Sequence, residues 1–382
     1  MKTHVESGLA VWLADDPARS LSRQRVGLIT NASSVTRALV PTRDALLEAG
    51  VQLAALFGPE HGFVATVADA EPVPSGRDRR TGLPIYSLFG DVYKPTPEML
   101  AGLDVLVYDL QDVGVRFYTF TTTLAFVLEA CAEHQLPLIV LDRPNPITGA
   151  LIEGPLLNPQ QQSFLGHGPL PLRYGLTLGE LAQFYNRELK LNAPLTVVKL
   201  RGWQRTQWYD ETDLLWVPPS PGMPHFDTTV VYPGTCLIEG TNVTEGRGTP
   251  LPFEVIGAPW IDGEALADKL NALRLDGVRF RAVEFTPSEW KYTQQLCQGV
   301  QAHVTDRAAL RPVAMGLHLI RTIREMYPED FAWRADHFDV LIGNASTREQ
   351  LERGVPIDTL TAAWEAEQTV FSARSRAYWL YD

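Results

Sequence analysis

The sequence has few cysteines and no segment long enough to cross a membrane. Its three cysteines, Cys131, Cys236 and Cys297, are widely separated and form no CxxC motif. This spacing argues against a cysteine-based zinc site and predicts reduced, mostly buried thiols. No run of about 18 apolar residues occurs, so we expect no membrane-spanning helix. The N-terminus lacks the apolar core of a signal peptide, which predicts a cytoplasmic protein as written, or a periplasmic or secreted one if an export signal was trimmed.

Several motifs that mark common enzyme classes are also missing. No GxGxxG follows a predicted strand and no GxxxxGK[ST] occurs, so the sequence lacks both the dinucleotide fingerprint and the phosphate-binding loop. The serine-hydrolase motif GxSxG is absent. The eight histidines are scattered without HxxxH or HExxH, and we predict neither a metal nor a cofactor. The net charge of −12 repels nucleic acid and anionic lipid, so we expect neither as a partner.

Short apolar runs alternate with helical patterns in the first half of the chain. Strands that are apolar at nearly every position are buried on both faces, and strands that alternate with helices form a parallel sheet. We therefore predict an α/β fold with a Rossmann-like, doubly wound and mostly parallel sheet. The predicted strands are residues 25–31, 51–58, 104–114, 136–146 and 195–203, and the predicted helices are residues 41–50, 119–135 and 176–189, the last capped by Thr177.

The second half of the chain has a different character. Residues 203–260 are dense in proline and glycine yet rich in aromatic and aliphatic side chains, which predicts ordered loop rather than flexible linker. Further on, the pattern predicts helices over 261–275, 309–328 and 358–381 and strands over 278–287 and 299–306. We predict a Rossmann-like catalytic domain over residues 1–258 and a smaller C-terminal α/β domain over residues 259–382.

Acidic side chains follow three of the predicted strands. They lie in GPEHG (58–62), YDLQDVG (108–114) and LDRPNP (141–146), and ligands of doubly wound sheets bind beyond the carboxyl ends of the strands. Two further acids lie in EGTNVTEGRGT (239–249). A pair of carboxyls can act as acid and base, or as acid and nucleophile, across a glycosidic bond. Each acid taken alone also fits a turn, a cap or a salt bridge. The candidates are Glu60, Asp109, Asp112, Asp142, Glu239 and Glu245.

Basic side chains stand close to these acids in the sequence. An arginine can hold a carboxylate or phosphate through two parallel hydrogen bonds, and it can equally pair with a neighbouring aspartate to fix a loop, as for Asp142 and Arg143. The imidazole of His61 could act as an acid, a base or a hydrogen-bond donor. The cationic candidates are His61, Arg116, Arg143 and Arg247.

An ordered set of motifs resembles one family over nearly the full chain. The motifs are VGLITNASSVTR, LFGPEHGF, VYDLQDVGVRFYTFTTTL, LDRPNPITG, EGP, PSPGMP, YPGTCLIEGTNVTEGRGTPLPFEVIGAPW and FDVLIGN. The set is similar to the NamZ-type exo-β-N-acetylmuramidases, a glycoside hydrolase family formerly known only as a domain of unknown function. The sequence departs from the family pattern at Gly222, where the resemblance leads us to expect asparagine.

The resemblance implies an enzyme that releases terminal β-1,4-linked N-acetylmuramic acid (MurNAc) from the non-reducing end of peptidoglycan fragments. It implies an active site in a cleft between two domains. It also implies a small saccharide substrate, such as a disaccharide of MurNAc and N-acetylglucosamine (GlcNAc) or a muropeptide. The oligomeric state, tolerance for peptide stems and the choice among retaining, inverting and substrate-assisted mechanisms stay open. The alternatives are a non-catalytic muropeptide-binding protein and a nucleotide-dependent enzyme on a Rossmann-like fold.

The family motifs match defined positions of this sequence. We predict Glu60 as the general acid, with Glu239 or Glu245 facing it across the cleft, and Arg116 or Arg143 as the reader of the lactyl carboxylate. Phe117, Tyr118, Tyr232 or Trp260 could pack against sugar rings. The predicted catalytic residues are Glu60, His61, Glu239 and Glu245, and the predicted substrate-binding residues are Asn31, Asp109, Gln111, Asp112, Arg116, Tyr118, Asp142, Arg143, Asn145, Asn242 and Arg247.

Overall fold

All of the segments predicted as strands form strands in the computed structural model, which describes residues 2–15, 20–21, 23–68 and 70–382. The strands are β1 (Val26–Thr30), β2 (Leu53–Gly58), β3 (Gly76–Arg77), β4 (Pro84–Ser87), β5 (Val105–Asp109), β6 (Leu138–Leu141), β7 (Glu153–Leu156), β8 (Pro171–Arg173), β9 (Leu195–Val198), β10 (Val255–Ala258), β11 (Val278–Phe285) and β12 (Cys297–Val304).

Helices separate most of these strands. They are α1 (Gly8–Ala14), α2 (Thr42–Glu48), α3 (Pro97–Leu100), α4 (Phe120–His134), α5 (Leu178–Glu188), α6 (Phe226–Thr235), α7 (Gly263–Ala272), α8 (Pro312–Met326), α9 (Ala335–Ile342), α10 (Ala345–Glu352) and α11 (Ile357–Ser375). Within the described ranges, none of the helices is both long and apolar enough to cross a bilayer.

The larger sheet has seven strands in the order β3-β4-β2-β1-β5-β6-β9. Every neighbouring pair is parallel except β3 and β4 at one edge. The strands β1 and β5 at the centre are buried at every residue, as strands covered on both faces must be. From β1 the chain proceeds outward to β2 and β4 on one side and later to β5, β6 and β9 on the other. This reversal defines a doubly wound sheet and confirms the predicted fold class.

The chain divides into two units, each made of separate stretches of sequence. The first unit comprises residues 1–151, 175–221 and 374–382 and contains the seven-stranded sheet. The second unit comprises residues 152–174 and 222–373 and contains an antiparallel sheet in the order β10-β12-β11 and the pair β7-β8. The ranges 1–258 and 259–382 of the sequence analysis stay a prediction.

The prediction of loop throughout residues 203–260 is wrong at two places. The helix α6 and the strand β10 both lie in this region, and α6 contains Pro233 in its interior. Proline and glycine disfavour a helix, but burial against a neighbouring helix can override that preference. In α6 the glycine after the proline, Gly234, lies against Gly316 of α8 so closely that a Cβ on either one would collide with the backbone of the other helix. The glycine therefore permits the contact that holds the helix.

The last predicted helix is shorter than expected. The helix α11 ends at Ser375, and a short 3-10 turn covers residues 376–378. The final residues, which belong to the first unit, instead pack within it: the phenol of Tyr381 donates to Asp142 at 2.5 Å, and the guanidinium of Arg205 lies 4.0 Å from the ring of Trp379. These contacts compete with helix continuation because they need the aromatic side chains to face different partners.

Candidate active site

The first group of predicted site residues follows the strands of the seven-stranded sheet. The order in which the chain adds strands reverses between β1 and β5, and a crevice at such a switch point is where doubly wound folds bind ligands. Asn31 directly follows β1, and Asp109 ends β5. The hydroxyl of Ser34 donates to the carbonyl of Asp109 at 2.6 Å and ties the two strand ends together. The predicted residues therefore gather at the switch point of the sheet.

Glu60 is buried two residues beyond the end of β2. Its Oε2 accepts a hydrogen bond from the hydroxyl of Thr119 at 2.6 Å, and its Oε1 accepts one from the amide of Ala70 at 3.2 Å. Because Thr119 immediately precedes α4, this contact connects the loop after β2 with the loop after β5. The carboxyl of Glu60 is consequently fixed beside the switch point rather than pointing into solvent.

His61 has a left-handed backbone with a φ of 67°. Its Nδ1 lies 3.0 Å from the carbonyl of Val67, and the side chain is buried. Gly62 follows with a φ of 82°, a conformation that glycine adopts without steric cost. The two left-handed residues turn the chain sharply after the strand, which explains why the sequence places glycine next to the Glu-His pair.

Asp109 and Arg143 form a buried, two-pronged ion pair between the ends of β5 and β6. The Nε of Arg143 donates to Oδ1 of Asp109 at 2.5 Å, and its Nη2 donates to Oδ2 at 2.9 Å. The hydroxyl of Thr42 also donates to Asp109 at 2.5 Å. Arg143 thus pairs with Asp109 through its side chain, whereas Asp142 receives only its backbone amide. The pairing of Asp142 with the Arg143 side chain, considered from the sequence, is wrong.

Asp142 anchors the start of α5. It accepts hydrogen bonds from the hydroxyl of Thr177 and the amide of Gly179, each at 2.7 Å, in addition to the phenol of Tyr381. Burial raises the pKa of its carboxyl to about 6, although these hydrogen bonds act in the opposite direction. Thr177 caps the helix as predicted, since its hydroxyl accepts from the amide of Glu180. Asp142 therefore holds the strand end and the helix together.

The remaining predicted residues of this group are buried and bonded to the surrounding loops. Asn31 donates to the carbonyl of Pro219, Gln111 to that of Pro144 and Asn145 to that of Leu176, and Asp112 accepts from the amide of Gly114. Tyr118 packs edge-on against Phe120, with ring centroids 4.7 Å apart. Arg116 is fully buried, and burial lowers the pKa of its guanidinium to about 9. These contacts hold the loops that follow β1, β5 and β6.

The second group lies in the second unit and centres on Glu239. The Nε and Nη2 of Arg247 both donate to Oε1 of Glu239, at 3.1 and 2.7 Å, and the Nε2 of His337 lies 3.3 Å from Oε2. Burial favours the neutral carboxyl, but Arg247 and His337 outweigh it and lower the pKa of Glu239 to about 2. Glu239 is therefore ionised throughout the physiological pH range.

Glu245 is fully buried between two cations. The ammonium of Lys291 donates to its Oε2 at 3.0 Å, and the Nε of Arg247 lies 3.4 Å from its Oε1. The same ammonium donates to the carbonyls of Ile238, at 3.3 Å, and Val243, at 2.8 Å. Lys291 thereby connects the two ends of the segment that carries both glutamates.

Arg247 contacts aromatic as well as acidic side chains. Its guanidinium lies 4.8 Å from the ring centroid of Phe253, which in turn packs edge-on against Tyr232. A Cβ built on Gly222 would lie 3.2 Å from both Nη1 of Arg247 and the Phe253 ring. The departure from the family pattern at residue 222 therefore borders this group directly. Asn242 lies apart from it, donating to the carbonyl of Asp330 at 2.7 Å.

We call Glu239, Glu245, Arg247, Lys291 and His337 the acid–cation cluster. It alternates two carboxylates with two permanent cations and one histidine, which balances the buried charge. Across the described part of the chain, no group of three or more His, Cys, Asp or Glu side chains is arranged to hold a metal ion. The three cysteines are buried thiols outside any disulfide, as predicted.

Comparison with known proteins covers both groups of residues. Residues 26–227 match the family described as exo-beta-N-acetylmuramidase NamZ, N-terminal, and residues 230–381 match its C-terminal counterpart. The chain is 46% identical over 382 residues to the peptidoglycan beta-N-acetylmuramidase NamZ of Bacillus subtilis (strain 168), covering 100% of this chain and 92% of that protein. The chain belongs to the NamZ family.

Two solved structures support the NamZ assignment at the level of the fold. A DUF1343 family protein from Bacteroides fragilis is 37% identical, with a TM-score of 0.92 and full coverage of both chains. A second DUF1343 family protein from the same organism is 30% identical, with a TM-score of 0.79 and 99% coverage of each chain. The architecture described above is therefore shared along the whole chain.

The sequence analysis missed two members of the acid–cation cluster. His337 directly precedes FDVLIGN, one of the motifs by which the chain resembles the NamZ family, so a signal was available next to it. Lys291 lies in SEWKYTQ (288–294), which matches no motif of the analysis. Its role depends on a contact across more than 40 residues of sequence, from Lys291 to Glu245. No local pattern reveals such a contact.

Proposed function

We propose that this protein is an exo-acting glycoside hydrolase that releases terminal β-1,4-linked MurNAc from the non-reducing end of peptidoglycan fragments. The observation that carries the proposal is the 46% identity, over the full length of the chain, to a peptidoglycan beta-N-acetylmuramidase. The two matched family regions cover Glu60 on one side and Glu239 and Glu245 on the other. The activity belongs to the recycling of cell-wall fragments.

Glu60 is the general acid in this proposal. Its carboxyl accepts hydrogen bonds from the hydroxyl of Thr119 and the amide of Ala70, which fix its position in the loop after β2. A general acid has to deliver a proton to the leaving oxygen, so its carboxyl has to be held at a defined place in the site. Its burial at the switch point of the sheet supports the role, because ligands of this fold bind there.

The roles proposed for Glu239 and Glu245 require an ionised carboxyl. A base, a nucleophile or an orienting carboxylate has to be ionised, and the cations around Glu239 favour that form. Glu245 contacts Lys291 and Arg247. Glu239 is unsuited to protonate a leaving group, since its pKa is about 2. We propose that one of the two is this ionised carboxylate, while the other holds Arg247 in place.

The substrate in this proposal is a small saccharide such as MurNAc-GlcNAc or a muropeptide. The lactyl group of MurNAc is an anion, so a protein with a net charge of −12 needs a local cation to bind it. The expectation that Arg116 or Arg143 supplies this cation stays a prediction. For Arg143 it requires that the lactyl carboxylate share a guanidinium that already holds Asp109.

Product analysis tests the function directly. The purified protein is incubated with MurNAc-GlcNAc and, separately, with longer glycan fragments that begin with GlcNAc. We expect free MurNAc from the disaccharide and no product from the GlcNAc-terminated fragments, without any added cofactor. Saturable binding without release of free sugar would instead identify a muropeptide-binding protein, and activity that depends on an added nucleotide would favour the nucleotide-dependent alternative. The cytoplasmic location stays a prediction that cell fractionation would test.

A further inference from the structure

Residues 287–295, which we call the platform loop, have an unusual backbone. Trp290, Tyr292 and Gln294 have φ values of 68°, 57° and 60°. Bulky residues rarely adopt this left-handed conformation, and three of them within five positions represent a cost in free energy that the surrounding contacts must offset. Such clusters occur preferentially at functional sites and ligand clamps.

The platform loop is fastened to the segment that carries Glu239 and Glu245. The amide and the hydroxyl of Ser288 both donate to the carbonyl of Gly248 at 2.9 Å. The ammonium of Lys291 donates to Val243 and Glu245, and the phenol of Tyr292 accepts from the indole of Trp260 at 3.1 Å. The loop therefore keeps its strained conformation beside the acid–cation cluster.

Trp290 is the large apolar side chain that this conformation leaves in solvent. It is 42% exposed, although the two residues that follow it in the loop, Lys291 and Tyr292, turn towards the protein. The guanidinium of the exposed Arg334 lies 5.9 Å from the Trp290 ring, and its Nη1 donates to the carbonyl of Glu239 at 3.2 Å. The side chain of Arg334 thus contacts both the Trp290 ring and the backbone of Glu239.

This arrangement has the chemistry of a site for an acidic sugar. The C–H face of a pyranose packs on an aromatic ring, and a guanidinium beside that ring can hold a carboxylate through two hydrogen bonds. We propose that Trp290 forms the aromatic platform of a saccharide-binding subsite beside Glu239, and that Arg334 binds the carboxylate of the sugar that stacks on it. The inference deepens the proposed function and rests on it for the identity of the sugar, MurNAc.

Direct binding of free MurNAc tests the subsite without requiring turnover. We expect Trp290→Ala to weaken MurNAc binding about tenfold to a hundredfold, the range that follows from losing the burial of one large apolar side chain. Trp290→Phe keeps a ring and should remain within about threefold of the wild type. Trp290→Asn also removes the ring, but asparagine tolerates a left-handed backbone. This variant therefore tests the loss of the ring even if the alanine variant misfolds. Leu296→Ala, which alters another exposed apolar side chain at 58% exposure, should change nothing.

Arg334 is tested by comparing MurNAc with GlcNAc, which lacks the lactyl carboxylate. We expect Arg334→Ala to weaken MurNAc binding about tenfold and to leave GlcNAc binding within about twofold. Equal losses for both sugars would overturn the assignment of Arg334. A preference for MurNAc that disappears only in Arg116→Ala or Arg143→Ala would also overturn it, in favour of the cations predicted from the sequence.

The outcomes separate the subsite from the proposed function. Wild-type release of free MurNAc together with unchanged MurNAc affinity in both Trp290→Ala and Trp290→Asn would overturn the subsite and leave the function intact. Wild-type binding of MurNAc that depends on Trp290, without any release of sugar from the disaccharide, would support the subsite and contradict the function. Absence of MurNAc binding to the folded wild type would overturn the subsite.

Discussion

Glu60 and Glu239 are buried carboxyls of one enzyme, and the hydrogen-bond donors described for them differ in kind. The described donors to Glu60 are a hydroxyl and an amide, whereas Glu239 is held by an arginine and a histidine. Cations favour the ionised form of a carboxyl, and Arg247 and His337 accordingly lower the pKa of Glu239. The comparison shows that two buried glutamates of one chain are held by different kinds of partner.

The largest expected effect is on catalysis at Glu60. Glu60→Gln keeps the size of the side chain and removes the ionisable proton, so kcat on MurNAc-GlcNAc should fall by about 10²–10⁴-fold. A substrate with a better leaving group should lose less, because it depends less on protonation. The matched control is Glu71→Gln at an exposed glutamate, which should retain wild-type rates. Turnover near the wild-type rate on the poor leaving group would remove Glu60 from the role.

The next largest effect is on stability at Arg247. Arg247→Met leaves Glu239 and Glu245 without their shared cation, and breaking a buried ion pair costs about 3–5 kcal/mol of unfolding free energy. Urea unfolding at pH 7 measures the loss. Arg281→Met, at an exposed arginine of the same unit, serves as the control and should cost less than about 0.5 kcal/mol. A loss at Arg247 no larger than that of the control would contradict the described network.

The pH dependence of stability should change when Glu239 is replaced. The pKa of Glu239 is lowered from 4.5 to about 2, so its contribution is fully present above pH 4.5 and is lost as the pH falls towards 2. Wild-type stability should decline over this window, and Glu239→Gln should decline less steeply there because it has no proton to take up. Urea unfolding measures the free energy of unfolding of both proteins between about pH 5 and about pH 3. If this free energy falls equally with pH in the two proteins, Glu239 is not held ionised.

A smaller effect is expected at Lys291. Lys291→Met removes the ammonium that connects Ile238, Val243 and Glu245, and hydrogen bonds from a charged group contribute about 1.5–3 kcal/mol. We expect a loss of about 2 kcal/mol in unfolding free energy, measured by urea unfolding. Lys269→Met, at an exposed lysine of α7, should stay within about 0.5 kcal/mol of the wild type. Indistinguishable losses at the two lysines would contradict the structural role of Lys291.

The smallest effect should follow from Gly222→Asn, which restores the residue expected from the family pattern. The new side chain would press on Arg247 and Phe253 at 3.2 Å, a distance that small shifts can relieve. We expect less than about 1 kcal/mol of change in unfolding free energy, together with activity within about threefold of the wild type. A large loss of activity would show that the position of Arg247 is sensitive to the packing at residue 222.

Much of the fold could be predicted because its cause is local. Continuous apolar runs define β1, β2, β5 and β6, and the polar residues after them mark the strand ends. The helix α6 was missed because Pro233 and Gly234 disfavour a helix locally, whereas packing against Gly316 stabilises it. The candidate site was predicted in its motif residues but not in Lys291, whose contacts come from distant parts of the chain.

The sequence by itself determined the α/β class, the family and the acids available for chemistry. Hydrophobic runs and motif order do not depend on how distant segments meet. Only the tertiary structure decided that Arg143 pairs with Asp109, that Lys291 reaches Glu245 and that Trp290 stays exposed on a strained loop. The physical reason is that protonation, pairing and exposure depend on distances of a few ångströms between residues far apart in the chain, and those distances exist only once the chain has folded.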